Sequence, residues 1–244
     1  MKIIASDYDG TVNYHGISDA DKEAIKKFRD AGNKFGIVTG RDLEMALWVL
    51  NDMKGYIDYL ICCTGAIILD SDGKILYEKR QKIDLDRFNK IIDKAMEHHY
   101  GNFSISDRLI RIYSDRRGMI PRQIGLLNEF TQANLWFPNE QECIKFLEYL
   151  NSEHSDYLIG FRNGGSIDIP PKGISKPTGV WEYAKMFDNI EKIYAVGDNL
   201  NDIPMIKEFC GFAVSNAKDE VKNAAKHQCD RICDMIEAIM KGEA

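Results

Sequence analysis

The chain opens Met1-Lys2-Ile3-Ile4-Ala5-Ser6-Asp7-Tyr8-Asp9-Gly10-Thr11, and the other informative segments are arranged about this one. Ile3, Ile4 and Ala5 make a short apolar run of the kind found in strands buried on both faces. The run ends in two carboxylates at i and i+2. Side chains alternate along a strand, so Asp7 and Asp9 are expected on one side of its carboxyl end. Like charges so placed are costly unless a cation or a proton lies between them. Hard carboxylate oxygens suit Mg²⁺, and Gly10 lets the backbone turn sharply beside a ligand. The same residues also fit a plain Asx turn, so partners elsewhere in the chain must decide.

Working outward, Ser18 caps a helix with an apolar stripe of Ala20, Ala24, Ile25 and Phe28, and Gly32 stands at its C-terminal end. Lys34-Phe35-Gly36-Ile37-Val38 reads as a second buried strand, ending in Thr39-Gly40-Arg41. A strand-to-helix junction with a hydroxyl and a glycine can hold phosphate through the hydroxyl and free backbone N–H groups. Residues Ile57 to Cys63 form a third strand, followed by Thr64-Gly65-Ala66 and a hairpin over Ile67–Leu69 and Lys74–Tyr77. This βαβαβ rhythm predicts a parallel sheet with right-handed crossovers.

The rhythm changes near Gln81. The pattern there predicts a helix over Leu85–His98, a strand over Leu109–Tyr113, helices over Pro121–Phe130 and Glu140–Ser152, and strands over Tyr157–Phe161 and Ser166–Ile169. It reads as an inserted α+β unit, with Arg108, Arg111, Arg116, Arg117 and Arg122 near its start. Arginine suits bidentate contact with phosphate or carboxylate, although a solvated charged face is the commoner use of such a run. After Asp168 the βα rhythm returns. The loop Lys172-Gly173-Ile174-Ser175-Lys176-Pro177 delivers Lys176 to a helix start, where its charge opposes the helix dipole unless an anion lies nearby. Ile193-Tyr194-Ala195-Val196 is another buried strand, and it runs into Gly197-Asp198-Asn199-Leu200-Asn201-Asp202. Phe212–Val214 adds a strand, and helices over Lys218–His227 and Cys233–Met240 close the chain. Acidic groups again stand at a strand's carboxyl end, where open α/β sheets bind their ligands.

Bulk properties narrow the function. The 244 residues are 44% hydrophobic and 29% charged, with a formal net charge of −6. That is globular composition, and the charge argues against a general nucleic-acid or membrane-surface binder. No apolar stretch approaches the roughly 20 residues of a membrane span, and the N-terminus reads as a strand rather than an export signal. Of the six cysteines, Cys62, Cys63 and Cys210 read as small hydrophobes, and Cys229 and Cys233 lack the partners of a zinc site. A reducing cytoplasm is the expected location. Oligomeric state is not legible in the sequence.

Taken together, Asp7-Tyr8-Asp9-Gly10-Thr11, Val38-Thr39-Gly40-Arg41, Lys172-Gly173-Ile174-Ser175-Lys176 and Gly197-Asp198-Asn199-Leu200-Asn201-Asp202 resemble, in order, the four motifs of the haloacid dehalogenase-like hydrolases. The closest resemblance is to Cof-type phosphatases with a type IIB α/β cap, and it covers essentially the whole chain. It implies a Rossmann-like parallel-sheet core over 1–80 and 170–244, with the α+β cap over 81–169. It implies that Asp7 is the nucleophile and Asp9 the general acid and base. Mg²⁺ would be held by the Asp7 and Asp198 carboxylates and the Asp9 carbonyl. Thr39, Gly40, Lys176 and Asn201 would bind the phosphoryl group, with Asp202 orienting its neighbours. Arg111 and Arg162 are candidate cap contacts to substrate. Thr64 stands where this family often has Asn. The implied activity is Mg²⁺-dependent hydrolysis of a small-molecule phosphate ester, such as a sugar phosphate, through an aspartyl-phosphate. Phosphomutase-type transfer on the same scaffold is the alternative, followed by a non-catalytic metabolite-binding protein.

Overall fold

The computed structural model describes residues 1–114 and 124–244. The chain enters through β1 (Lys2–Ser6), α1 (Asp19–Asp30), β2 (Lys34–Val38), α2 (Leu43–Asp52), β3 (Tyr59–Cys62), β4 (Ile67–Asp70) and β5 (Ile75–Glu78). A second unit follows, with β6 (Gln81–Lys82), α3 (Leu85–Glu97), β7 (Asn102–Asp107), β8 (Ile110–Ser114), β9 (Glu129–Phe130), β10 (Gln132–Trp136), α4 (Glu140–Glu153), β11 (Phe161–Asn163) and β12 (Ser166–Ile169). The first unit is completed by α5 (Lys176–Ala184), β13 (Lys192–Gly197), α6 (Ile203–Glu208), β14 (Cys210–Val214), α7 (Asp219–Ala224), β15 (His227–Cys229) and α8 (Ile232–Lys241).

The core sheet has eight strands in the order β15-β14-β13-β1-β2-β3-β4-β5. It is parallel from β15 to β3, and β4 and β5 add an antiparallel edge. β1 lies at its centre, with Ile3 opposite both Ile193 and Lys34. Alternation along β1 divides the core: Ile4 packs with Ile25, Phe28 and Ile236 on one face, and Ile3 and Ala5 with Val180 and Tyr183 on the other. A strand covered by helices on both faces must be apolar throughout, as this one is.

The inserted unit has a five-stranded antiparallel sheet in the order β11-β12-β10-β7-β8. Phe103, Ile105, Ala133, Leu135, Ile167 and Ile169 point to one face and pack with Phe88, Ile91 and Phe146 of α3 and α4. Period-two alternation assigns Ser104, Ser106, Gln132, Asn134, Ser166 and Asp168 to the other face. Ser104, Asn134 and Asp168 are in register across three strands.

Several local expectations are corrected. Glu129 and Phe130 form a strand paired with Gln81 and Lys82, not the end of a helix. The rest of that expectation from Pro121 to Gln123, with Arg116, Arg117 and Arg122, lies outside the described residues. Residues 154–157 turn and 158–160 are irregular, because the backbone N–H groups of Tyr157 and Leu158 fold back to the His154 carbonyl, and the strand starts only at Phe161. The helix expected to reach His227 ends at Ala224, where Ala225 turns extended and His227–Cys229 joins the core sheet edge. All six cysteines are free. Among the described residues, no helix is long and apolar enough to cross a membrane.

Candidate active site

β1 stops at Ser6, but the Asp7 N–H still donates to the Val196 carbonyl at 2.9 Å. That bond fixes Asp7 at the carboxyl edge, beside the exit of β13. Ser175 caps α5 and makes a reciprocal capping box with Thr178, which sets Lys176 at the first helical position. Lys176 is 1% exposed, and its ammonium donates to Asp7 Oδ1 and Asp202 Oδ1, each at 2.6 Å. Both Asp202 oxygens are engaged, since Oδ2 accepts from the backbone N–H groups of Asp198 and Asn199 at 3.2 and 3.0 Å. Asp202 therefore shapes the turn that presents Asp198. Thr11 Oγ1 donates to Asp198 Oδ1 at 2.9 Å. Gly10 has φ of +81°, and a Cβ there would meet Asp198 Oδ2 at 2.6 Å, so only glycine lets that carboxylate lie over the loop.

One carboxylate oxygen from each of Asp7, Asp198 and Asp202 lies within 4.8 Å of the other two. Burial, and then the Asp202 charge, push the carboxyls of Asp7 and Asp198 above the ordinary range. Burial works against the Lys176 ammonium, but Asp202 and Asp7 outweigh it and hold its pKa above that of an ordinary lysine. Three acids against one ammonium leave an excess of negative charge on hard oxygens, and that donor set fits Mg²⁺. Asp198 Oδ2 and the Asp7 oxygen not taken by Lys176 are the free donors among the three.

Above this cluster is a cavity of about 260 Å³. Its core wall includes Asp7, Asp9, Thr39, Gly40 and Asn201, and its cap wall includes Ser104, Ser106, Arg111, Gln132, Asn134 and Asp168. Thr39 is buried, with Oγ1 accepting from the Arg41 N–H at 3.2 Å. Asp9 reaches the cavity from a turn rather than from the strand. Its half-exposed carboxylate is held bidentately by Arg41 at 2.8 and 2.6 Å. Arg111 is at the cavity with its guanidinium 3.1 Å from the Asp42 carboxylate across the cap–core gap. Arg162 is not brought to the cavity, since it pairs with Glu140 and with the Gly164 carbonyl.

Other contacts fasten the two units. Gln132 Nε2 donates to the Gly40 carbonyl and to Thr64 Oγ1, both at 3.3 Å. Asn199 donates to Asn163 at 2.8 Å, and Arg108 holds Glu78 bidentately. Thr64 has φ of +56°, which is strained for a β-branched residue and easy for Asn.

The sequence reading passed over Asp168, the deepest acid of the cap wall. It is 2% exposed, and Asn134 donates to its Oδ1 at 2.6 Å. Burial raises its pKa to about 6, against the opposing pull of Lys176. Oδ2 has no hydrogen-bond partner, although the Asn201 and Asn163 amides are near enough to moderate the shift. A Cβ on Gly40 would meet that oxygen at 2.5 Å. The one signal was an acid between Ile167 and Ile169 in an alternating strand.

A family model described as haloacid dehalogenase-like hydrolase matches residues 4–241. The 5-amino-6-(5-phospho-D-ribitylamino)uracil phosphatase of Bacillus subtilis (strain 168) is 30% identical over 236 residues, covering 94% of this chain and 90% of that protein. The pyridoxal phosphate phosphatase of Escherichia coli (strain K12) is 26% identical, covering 92% of this chain and 91% of its own. A solved HAD subclass IIB sugar phosphatase has the same fold, with a TM-score of 0.80 at 19% identity, covering 100% of this chain and 99% of that one. The chain belongs to the haloacid dehalogenase-like hydrolases, among their Cof-type phosphatases.

Proposed function

We propose that the protein is a Mg²⁺-dependent phosphatase of small phosphorylated metabolites, of the sugar phosphate class, working through an aspartyl-phosphate on Asp7. The observation that carries this reading is the buried Lys176 ammonium bridging Asp7 and Asp202, beneath a cavity that Thr39, Gly40 and Asn201 also line. Lys176 orients the Asp7 carboxylate, so that one of its oxygens attacks phosphorus while the other stays with the metal. The bond to the ester oxygen breaks, and Asp9, once released from Arg41, gives that oxygen its proton. Asp9 then takes a proton from water as the water attacks phosphorus, freeing phosphate and restoring the Asp7 carboxylate. Bound Mg²⁺, held by Asp7, Asp198 and the Asp9 carbonyl, would supply charge neutralisation on the phosphoryl oxygens. Thr39, Gly40 and Asn201 would seat the remaining oxygens.

The cap, spanning 81–169 between core segments 1–80 and 170–244, would exclude water during transfer and choose the substrate. Arg111 is the cap arginine placed to meet ligand. The free cysteines favour a reducing cytoplasm. The test is phosphate release across a panel of phosphorylated metabolites, with Mg²⁺ and with chelator. Chelator-sensitive release that Asp7→Asn abolishes is the expected result. Isomerised product without free phosphate would replace hydrolysis by phosphotransfer, and no turnover of any ester would remove the reading.

A further inference from the structure

Two buried acceptors on the cap wall lack hydrogen-bond partners: Asp168 Oδ2 and Gln132 Oε1. Gln132 cannot be turned to satisfy its oxygen. Its Nε2 faces the Gly40 carbonyl, which only accepts, so Oε1 must be the atom left over. Asp168 is likewise set, with Oδ1 engaged by Asn134 and Oδ2 beside Gly40. An unmet buried acceptor costs about 1–3 kcal/mol, more when charged, so the pair calls for a donor-bearing ligand. Neither cavity arginine is a partner of these two oxygens: Arg111 pairs with Asp42 and Arg41 with Asp9. A phosphate dianion brings only acceptors. Beyond the nearby Asn163 and Asn201 amides, the donors a phosphate ester can add are those of its alcohol half, as hydroxyls or an amine. The cavity, about 260 Å³, lies below the usual range for drug-sized ligands, and Met45 is the one large apolar side chain among its described lining residues.

We propose that Asp168 and Gln132 form a paired acceptor subsite that selects esters whose alcohol carries hydroxyl or amine donors near the phosphate, and that Asp168 rejects esters carrying a carboxylate there. This rests on the phosphatase reading above and narrows its substrate class to compact polyol or aminopolyol phosphates. The rejection is Coulombic, because a second carboxylate beside Asp168 meets a like charge in a water-poor site.

The experiment measures kcat/KM with Mg²⁺ for ribitol phosphate, glycerol phosphate, propyl phosphate and phosphoglycolate, in wild type and in Asp168→Asn. In wild type, removing the hydroxyls from glycerol phosphate to give propyl phosphate should lower kcat/KM by roughly 10–100-fold, mostly through KM. In Asp168→Asn, with Gln132 still present, that ratio should shrink severalfold, and phosphoglycolate should gain relative to ribitol phosphate. A purely structural role for Asp168 would not improve a carboxylate-bearing ester. An equal fall for all four esters would mean that Asp168 serves the phosphoryl group or the fold, and it would overturn the proposal. So would a wild type that does not distinguish glycerol phosphate from propyl phosphate, which needs no variant at all. If wild type releases phosphate from no ester, the phosphatase reading fails by itself. Calorimetric binding of ribitol phosphate then decides the subsite: loss confined to Asp168→Asn supports it, and equal or absent binding rejects it.

Discussion

Replacing Asp168 with Asn should make the protein's stability less dependent on pH, and the size of the change follows from the burial of the carboxylate. Asn keeps the shape and an oxygen for Asn134 while removing the titrating proton. The Asp168 pKa is about 6 in the folded chain against 3.8 for an ordinary Asp, a gap of about 2 units or ~3 kcal/mol. The sign follows from which state holds the proton. At about pH 4 and below, both states are protonated and the wild type retains its full stability. As pH rises, the unfolded chain ionises first while the folded chain keeps its proton. The wild type therefore loses stability relative to Asp168→Asn until the folded group ionises near pH 6, and above that the difference is flat. Urea denaturation of both proteins from about pH 4 to pH 8 measures this difference directly. A carboxyl ¹³C titration that vanishes in the variant would assign it to Asp168. A stability difference that stays constant across that range would show that Asp168 ionises as an exposed acid does, and the burial reasoning would be wrong.

Lys176→Met should cost about 3–5 kcal/mol in stability, because it leaves Asp7 and Asp202 buried without their shared cation. Mg²⁺ should raise the melting temperature of that variant more than that of wild type; an equal effect would place the ion elsewhere. Asp9→Asn should slow hydrolysis of alkyl esters by roughly 10²–10⁴-fold and of aryl esters with good leaving groups much less, since only the former need a proton. Because Asp9 also serves the later attack of water, the comparison is made on the first step, as kcat/KM or single-turnover release of the alcohol; equal slowing of that step on both would remove Asp9 from the acid role. Arg111→Ala breaks the contact to Asp42 and should raise KM across substrates; an unchanged KM would show that the cap closes without it.

The core was legible because its signals are short-range. Buried parallel strands are continuous apolar runs, and each ends at the edge where Asp7, Thr39 and Asp198 stand. Lys176 was legible for a related reason, as a cation at a helix start that calls for an anion. The cap was less so. Asn102–Asp107 and Gln132–Trp136, the middle of its sheet, were missed although Phe103, Ile105, Ala133 and Leu135 alternate with polar residues. Ser, Asn and Gln are poor strand formers, and they occupy the face toward the cavity, so local propensity opposed the pattern. Glu129 and Phe130 read as helix because their strand partner, Gln81–Lys82, is remote in sequence. Asp168 became visible only when the fold brought Gly40 and Asn134 against it.

The Gln132 amide is fastened to the carbonyl of Gly40, within the same loop proposed to cradle the phosphoryl oxygens. Whatever occupies that loop also bears on whether the lid can lift, so departure of the last product is tied to opening. Esters with quite different alcohols would then share one ceiling on turnover, governed by how long inorganic phosphate stays rather than by how readily the ester bond yields.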